Sequence, residues 1–188
     1  MRKLKLQMQI SIDGFVAGPN GELDWMTWNL DGKLIGFINE LTDSSDTIFM
    51  GRKMTDGFIN YWSSVLEKPE SPEYSFAKKM IDIPKVVFSR TLDKSPWINT
   101  SLAHDVVADT NAAKNKDGKD IIAYGGAGFV TSLVKENLID DYYLFVNPTA
   151  VGNGMTIFGD TGDYKRLKLV ESTPYECGIV VNHYQAAK

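Results

Sequence analysis

Cysteine is almost missing from this chain. Cys177 is the only one in 188 residues, so no disulfide can form within the chain and no cysteine cluster can bind zinc. Histidine is nearly as scarce. His104 and His183 stand far apart, no Asp or Glu group has the spacing of a ligand set, and no metal is expected. An excess of positive charge is missing too. The net charge of −4 gives no electrostatic reason to expect a nucleic-acid partner, which usually meets a basic face. Long apolar runs are also absent. The N-terminal MRKLKLQMQISIDGF alternates where a signal peptide would carry an unbroken apolar core, and nothing later is long enough to cross a bilayer. The expectation is a cytoplasmic protein with no membrane partner.

What is present fits one globular domain over residues 1–188. The hydrophobic fraction is 43% and the charged fraction 23%, in the range of chains with a packed core. No repeat or composition break marks a linker. KLKLQMQIS alternates with period two and predicts a strand, and DGFVAGPNGELDW is a turn-rich loop. From Asp31 onward, Leu34, Ile35, Ile38 and Leu41 fall on one face of a helix. DTIFMG reads as a short buried strand, and RKMTDGF opens a helix directly after it. The polar stretch LEKPESPEYSFAKKMIDIP carries a helix around Phe76, Ala77, Met80 and Ile81. KVVFS and AHDVVAD predict two further strands, the second followed by the polar TNAAKNKDGKD. DIIAY is a strand, and the helix after its glycine pair turns Phe129, Val130, Leu133, Val134 and Leu138 inward. DDYYLFVNPTAV is a strand and GNGMTIFGDTGDY a glycine-rich loop. LKLVESTPYECGIVVNHYQAA gives two strands joined near Gly178. Strands alternating with helices predict an α/β fold, its sheet mostly parallel with antiparallel strands at the C-terminal edge.

Three strand ends share a form. TIFMGRKMT, KVVFSRTL and IIAYGGAGF each run from an apolar strand into a polar or glycine-rich corner, and open α/β sheets bind ligands at such ends. Gly125 and Gly126 let a pyrophosphate approach the backbone, and the N–H groups of Ala127, Gly128 and Phe129 would face it from a helix N-terminus. Gly51, Arg52, Lys53 and Met54 form a second helix start. Ser89 and Thr91 place two hydroxyls around Arg90. Arg52 and Arg90 are suited to an extra ribose phosphate through charge-assisted hydrogen bonds, which would favour NADPH over NADH. Each corner also has a plain reading. A glycine pair between strand and helix serves as a tight turn, and an arginine after a strand is often simply solvated. GGAGF lacks the G-x-G-x-x-G spacing of a Rossmann site, and no ribose-binding acid follows at the usual distance.

The chain resembles the dihydrofolate-reductase-like family that includes the reductase domain of riboflavin biosynthesis. SIDGFVAGPNGELDW, IFMGRKMTDGF, VVFSRTL, IIAYGGAGFVTSLVKENLIDDYYLFVNPTAVGNGMTIF and the C-terminal strand pair carry the resemblance, in the family's order. It implies a mixed sheet of about eight strands with flanking helices and NADPH lying across the strand ends. GRKMT and SRT would hold the adenosine ribose and its phosphate, and GGAGF the pyrophosphate. Val16 and Ala17 would lie by the nicotinamide, with Tyr124 a further candidate there. Gly152, Asn153 and Gly154 would border a small-molecule substrate. A homodimer is implied as well.

Two acids compete for the chemical role. Asp13 in SIDGF matches the acid of riboflavin-type reductases. A partly buried carboxyl with a raised pKa would protonate the atom left basic by hydride transfer, or orient a water to do so. Its plain reading is a turn residue before Gly14. Asp31 resembles the helix acid of dihydrofolate reductase imperfectly. When Phe37 is set on that family's pocket phenylalanine, Lys33 takes the acid's place and Asp31 reads as a helix N-cap. Trp25, Trp28, Phe37, Phe58, Tyr61 and Trp62 would either stack on a flat substrate or pack the core. The expected activity is NADPH-dependent reduction of a heterocyclic or carbonyl-bearing metabolite, with the riboflavin-pathway aminouracil phosphate one candidate. The alternative is a catalytically silent NADP(H)-binding module. Folate reduction is disfavoured.

Overall fold

The computed structural model describes residues 1–159 and 161–187. Asp160, within the glycine-rich segment after Gly152, and the terminal Lys188 lie outside the described residues. Eight strands form one sheet: β1 (Leu4–Ser11), β2 (Ser45–Gly51), β3 (Lys85–Phe88), β4 (Thr100–Ala103), β5 (Asp120–Gly125), β6 (Asp141–Asn147), β7 (Leu167–Pro174) and β8 (Val180–Ala186). Their order is β4-β3-β2-β5-β1-β6-β8-β7. Every pairing from β4 through β6 is parallel, and only β8 runs against its neighbours. The helices are α1 (Gly32–Asp43), α2 (Arg52–Leu66), α3 (Tyr74–Asp82), α4 (Val106–Lys114) and α5 (Ala127–Lys135).

The strand patterns explain the layering. In β2, Ile48, Phe49 and Met50 are all fully buried, as in a parallel strand covered on both faces. In β1, Leu4, Leu6, Met8 and Ile10 enter the core beneath α4 and α5. The alternate residues Lys5, Gln7 and Gln9 face the α1 side. On that side the apolar packing divides into two groups. One joins β2, β3 and β5 to α2 and α3, and the other joins β6 and β8 to α1. Phe37 and Tyr143 belong to both, so the polar edge of β1 runs between two apolar clusters.

Two expectations change. Ile35 is 47% exposed, and α1 packs through Leu34, Phe37, Ile38 and Leu41. A Leu34-based stripe at i, i+3, i+4 and i+7 leaves Ile35 on its rim. The stretch AHDVVAD is not a strand. β4 ends at Ala103, and Asp105 caps α4 by accepting the N–H groups of Val107 and Ala108 at 2.9 and 2.8 Å. Asp109 closes the start from the other side, accepting from the amides of His104 and Asp105 at 2.8 and 2.9 Å. This reciprocal capping outweighs the β-preference of Val106 and Val107. No described helix is long and apolar enough to cross a membrane.

Candidate active site

The topology places the three corners side by side. β3, β2 and β5 are consecutive neighbours, so Ser89–Thr91, Gly51–Met54 and Gly125–Phe129 form one continuous edge. Next along it come the ends of β1 and β6, where Ser11 lies opposite Asn147.

The middle of the edge requires glycine. Gly51 has ordinary extended backbone, but a Cβ there would stand 2.8 Å from the Cβ of Phe129. Gly125 and Gly126 have φ of +132° and +25°, a region that L side chains rarely enter. A Cβ on Gly126 would lie 3.9 Å from the Cα of Gly51. Two helix starts therefore meet almost backbone to backbone. α1 and α4 begin with an aspartate cap, whereas α2 and α5 begin at glycines with no side-chain cap. α3 starts uncapped as well, after Glu73, but away from this edge. The first-turn N–H groups of α2 and α5 thus have no partner inside their helices, and both dipoles present positive ends. The Gly126 N–H is the exception, since it lies 2.9 Å from Met54 Sδ. Arg52, Lys53 and Arg90 are exposed and form no ion pair among the described residues.

At the outer end, Ser89 is 6% exposed, and its Oγ accepts from the amides of Thr91 and Leu92 at 3.3 and 3.1 Å. Its hydroxyl hydrogen meets no acceptor among the described residues. Phe129 contributes only its backbone. Its ring stacks on Phe88 at 4.6 Å. Tyr124 packs against Phe58 in the cluster beneath α2. Its hydroxyl is 2.8 Å from that of Thr42 near the far end of α1, and burial pushes its pKa up.

The other half of the edge is built by Asp13. Its Oδ1 accepts from Ser11 Oγ at 2.6 Å and from the Val151 amide at 3.0 Å, and its Oδ2 accepts from the Gly152 amide at 2.7 Å. These bonds, Ser11's first, lower its pKa to about 2. The expected raised pKa is therefore reversed, because the carboxylate is exposed and surrounded by donors. Asp13 joins the loop after β1 to the loop after β6. A short antiparallel bridge continues the join, with Val16 N–H to Met155 O and Met155 N–H to Ala17 O, both 2.8 Å. Gly154 sits so close that a Cβ would lie 2.1 Å from the Ala17 carbonyl oxygen. Val16, Ala17, Gly152, Asn153 and Gly154 are thus brought together as one wall, with Asn153 exposed at its tip.

Asp31 stands as the N-cap of α1. One oxygen accepts from the Lys33 and Leu34 amides at 3.0 Å each, and the other from the Cys177 amide at 3.2 Å. The Leu34 amide is the main reason its pKa is lowered. Lys33 points outward and pairs with Glu176 at 3.3 Å. The carboxylate of Asp31 is thus engaged as the helix cap that its place in the sequence also suggested. The aromatics separate in the same way. Phe37 packs on Tyr143, Phe145 and Tyr175. Phe58, Tyr61 and Trp62 pack among themselves and against Tyr124 and Phe76. Trp28 is 68% exposed, and Trp25 donates its Nε1–H to Glu22 O at 3.1 Å.

Sequence reasoning missed a group of amides. Asn147 is fully buried at the end of β6. It accepts from the Thr27 amide at 2.8 Å and donates to Gln9 Oε1 at 2.7 Å. It thereby fixes the tryptophan-bearing loop over the end of β1. The amide nitrogen of Gln9 has no partner among the described residues, and Gln7 Oε1 is buried without one. The available signal was the polar member of each pair in LQMQIS. A central strand with one polar face needs partners there. A broad depression at the opposite end of the sheet, lined by Asp43, Lys78, Lys79 and Asp82 among others, carries no comparable set. Its ions pair with one another, Lys79 with Asp43 and Lys78 with Asp82.

Sheet order and flanking helices define a dihydrofolate-reductase-like α/β fold. The chain belongs to the RibD C-terminal domain family, which it matches over residues 2–181. It is 32% identical to the uncharacterized protein YyaP of Bacillus subtilis (strain 168), over 95% of this chain and 92% of that one. Two solved structures share the fold. One is the deaminase/reductase of Thermotoga maritima, diaminohydroxyphosphoribosylaminopyrimidine deaminase/5-amino-6-(5-phosphoribosylamino)uracil reductase. Its TM-score is 0.68 at 13% identity, covering 99% of this chain and 57% of that one. The other is Enterococcus faecalis dihydrofolate reductase complexed with NADP(H) and RAB-propyl. Its TM-score is 0.66 at 16% identity, covering 99% and 97%.

Proposed function

We propose that the protein is an NADPH-dependent reductase of a small heterocyclic substrate. The observation that carries this reading is the pair of uncapped helix starts meeting at Gly51 and Gly126, flanked by the unpaired Arg52, Lys53 and Arg90. Two phosphates and an additional ribose phosphate match that arrangement of donors and cations. Gly125 to Phe129 would hold the pyrophosphate. Gly51 to Met54 and Ser89 to Thr91 would hold the phosphorylated ribose. Val16 and Ala17 would border the nicotinamide. Bound there, NADPH supplies a hydride.

The chain's own residues then position the acceptor and exclude water. The wall of Gly152 to Gly154 and the loop of Trp25 to Trp28 enclose the end of β1. Gln9 offers an amide donor to the edge of a ring, which suits a lactam or uracil-like acceptor. Asp13, ionised, orients a water for the returning proton instead of supplying the proton itself. The test is depletion of NADPH absorbance at 340 nm in a screen of pyrimidine, pterin and carbonyl metabolites. Turnover with an amide-edged heterocycle is expected. Tight NADPH binding with no turnover across the screen would favour the silent binding module in its place.

A further inference from the structure

We propose that His104 is a phosphate-reading residue at the outer end of the groove, and that it makes the choice between 2′-phosphorylated and unphosphorylated cofactor depend on pH. This inference rests on the dinucleotide reading above.

His104 is the first residue after β4, and β4 lies beside β3 with Ala103 opposite Phe88. The two strand ends are tied by Ser89 N–H to Ala103 O at 2.9 Å. The imidazole then closes over the corner, with Nδ1 2.7 Å from the carbonyl oxygen of Ser89. A carbonyl only accepts, so Nδ1 carries the hydrogen. The Nε2 atom has no partner among the described residues, and the residue is exposed. His183 shows the contrast. Its ring stacks on Tyr143 at 4.2 Å and its Nε2 lies 2.7 Å from Asp141, so it is fully engaged in packing.

His104 therefore shares a corner with Ser89, Arg90 and Thr91, the segment placed above at the ribose phosphate. The charged groups of this corner are Arg90 in the turn after β3, next to Ser89, and Asp105 and Asp109 at the start of α4, of which Asp109 interacts electrostatically with His104. The two carboxylates already accept backbone amides. The fixed tautomer then has a chemical consequence. A neutral ring shows a lone pair at Nε2, which repels a phosphate. Only the imidazolium presents an N–H there. Contact with the 2′-phosphate through that N–H needs the charged ring, so every ring that is neutral in the free protein takes up a proton on binding, and histidine is the side chain suited to such a switch.

The probes are 2′,5′-ADP and ADP, which differ by that one phosphate. Calorimetric titrations on the full chain at pH 6.5 and pH 8.0, in two buffers of different ionisation enthalpy, give affinity and proton uptake together. Wild type should favour 2′,5′-ADP more strongly at pH 6.5, by about tenfold for a hydrogen bond to a charged group. His104→Gln should lose most of that pH-dependent gain. The phosphate itself titrates near pH 6, so the comparison of wild type with variant isolates the ring. Unchanged selectivity and proton uptake in His104→Gln would overturn the proposal. Equal weakening of both probes would also overturn it, placing the ring against the adenine. If wild type failed to distinguish the two probes at either pH, the NADPH reading would fall and this inference with it. His104→Asn and a thermal melt of each variant separate these outcomes from misfolding.

Discussion

Replacing Gly154 with alanine tests the wall of the site with a single methyl group. The backbone of Gly154 is not in the left-handed region, so alanine is conformationally allowed there. The obstacle is the Ala17 carbonyl oxygen, 2.1 Å from where the Cβ would stand. That oxygen accepts the Met155 N–H, while Val16 donates to Met155 O. Neither backbone can give way without breaking the bridge. Two hydrogen bonds at about 0.5–1.5 kcal/mol each, plus partial loss of satisfaction for buried groups, come to roughly 2–4 kcal/mol. At about 2–4 °C per kcal/mol for a chain of this size, Tm should fall by roughly 4–16 °C. Circular dichroism melts measure this directly. Gly152→Ala is the control. Its φ is +77° with open space around it, so only the left-handed strain of about 1–2 kcal/mol applies. Affinity of Gly154→Ala for 2′,5′-ADP should stay within about twofold, because the phosphate corners lie on other strands. A Tm within 1–2 °C of wild type (~0.5 kcal/mol) would show that the two loops are not joined as described.

Three other outcomes follow from the same geometry. Arg52→Ala combined with Arg90→Ala should weaken NADPH by roughly 100-fold while leaving NADH nearly unchanged, taking about tenfold per lost charge-assisted bond. Equal losses in fluorescence titrations would remove both arginines from the ribose phosphate. Gly126→Ala should behave oppositely, weakening NADPH and NADH alike, because it strains the turn and narrows the gap to Gly51. Asp13→Asn should lower turnover with 2′,5′-ADP affinity retained. Because the folded pKa of Asp13 is lowered to about 2, its latch is complete above the unfolded carboxylate value of about 4 and is lost as pH falls through about 2. The pH–rate profiles of wild type and Asp13→Asn should then share one shape between pH 5 and 8. A basic limb present only in wild type would restore Asp13 as a proton donor.

Much of this could be read from the chain itself. Period-two alternation in KLKLQMQIS and the fully apolar DTIFMG and DIIAY fix three central strands, and the glycines at their ends mark the corners. What escaped depended on contacts distant in sequence. Asp13 looked like a candidate acid because its donors, Val151 and Gly152, lie far along the chain. Their amides add to the nearby Ser11 hydroxyl in lowering its pKa. Asp31 was ambiguous until the Cys177 amide was seen to occupy its second oxygen. AHDVVAD misled because local β-propensity cannot reveal that Asp105 takes the amides of Val107 and Ala108 while Asp109 reaches back to those of His104 and Asp105. The amides of Gln9 and Asn147 belong to different strands, and only the sheet order brings them together.

The groove at Gly51 and Gly126 is the centre of the account, and one titration tests it most directly. Purified protein is titrated with NADPH and NADH, following fluorescence of the reduced nicotinamide and of the tryptophans. The account predicts a micromolar or tighter NADPH site and much weaker NADH. Absence of binding by either cofactor would contradict it and leave the glycine pair as a tight turn.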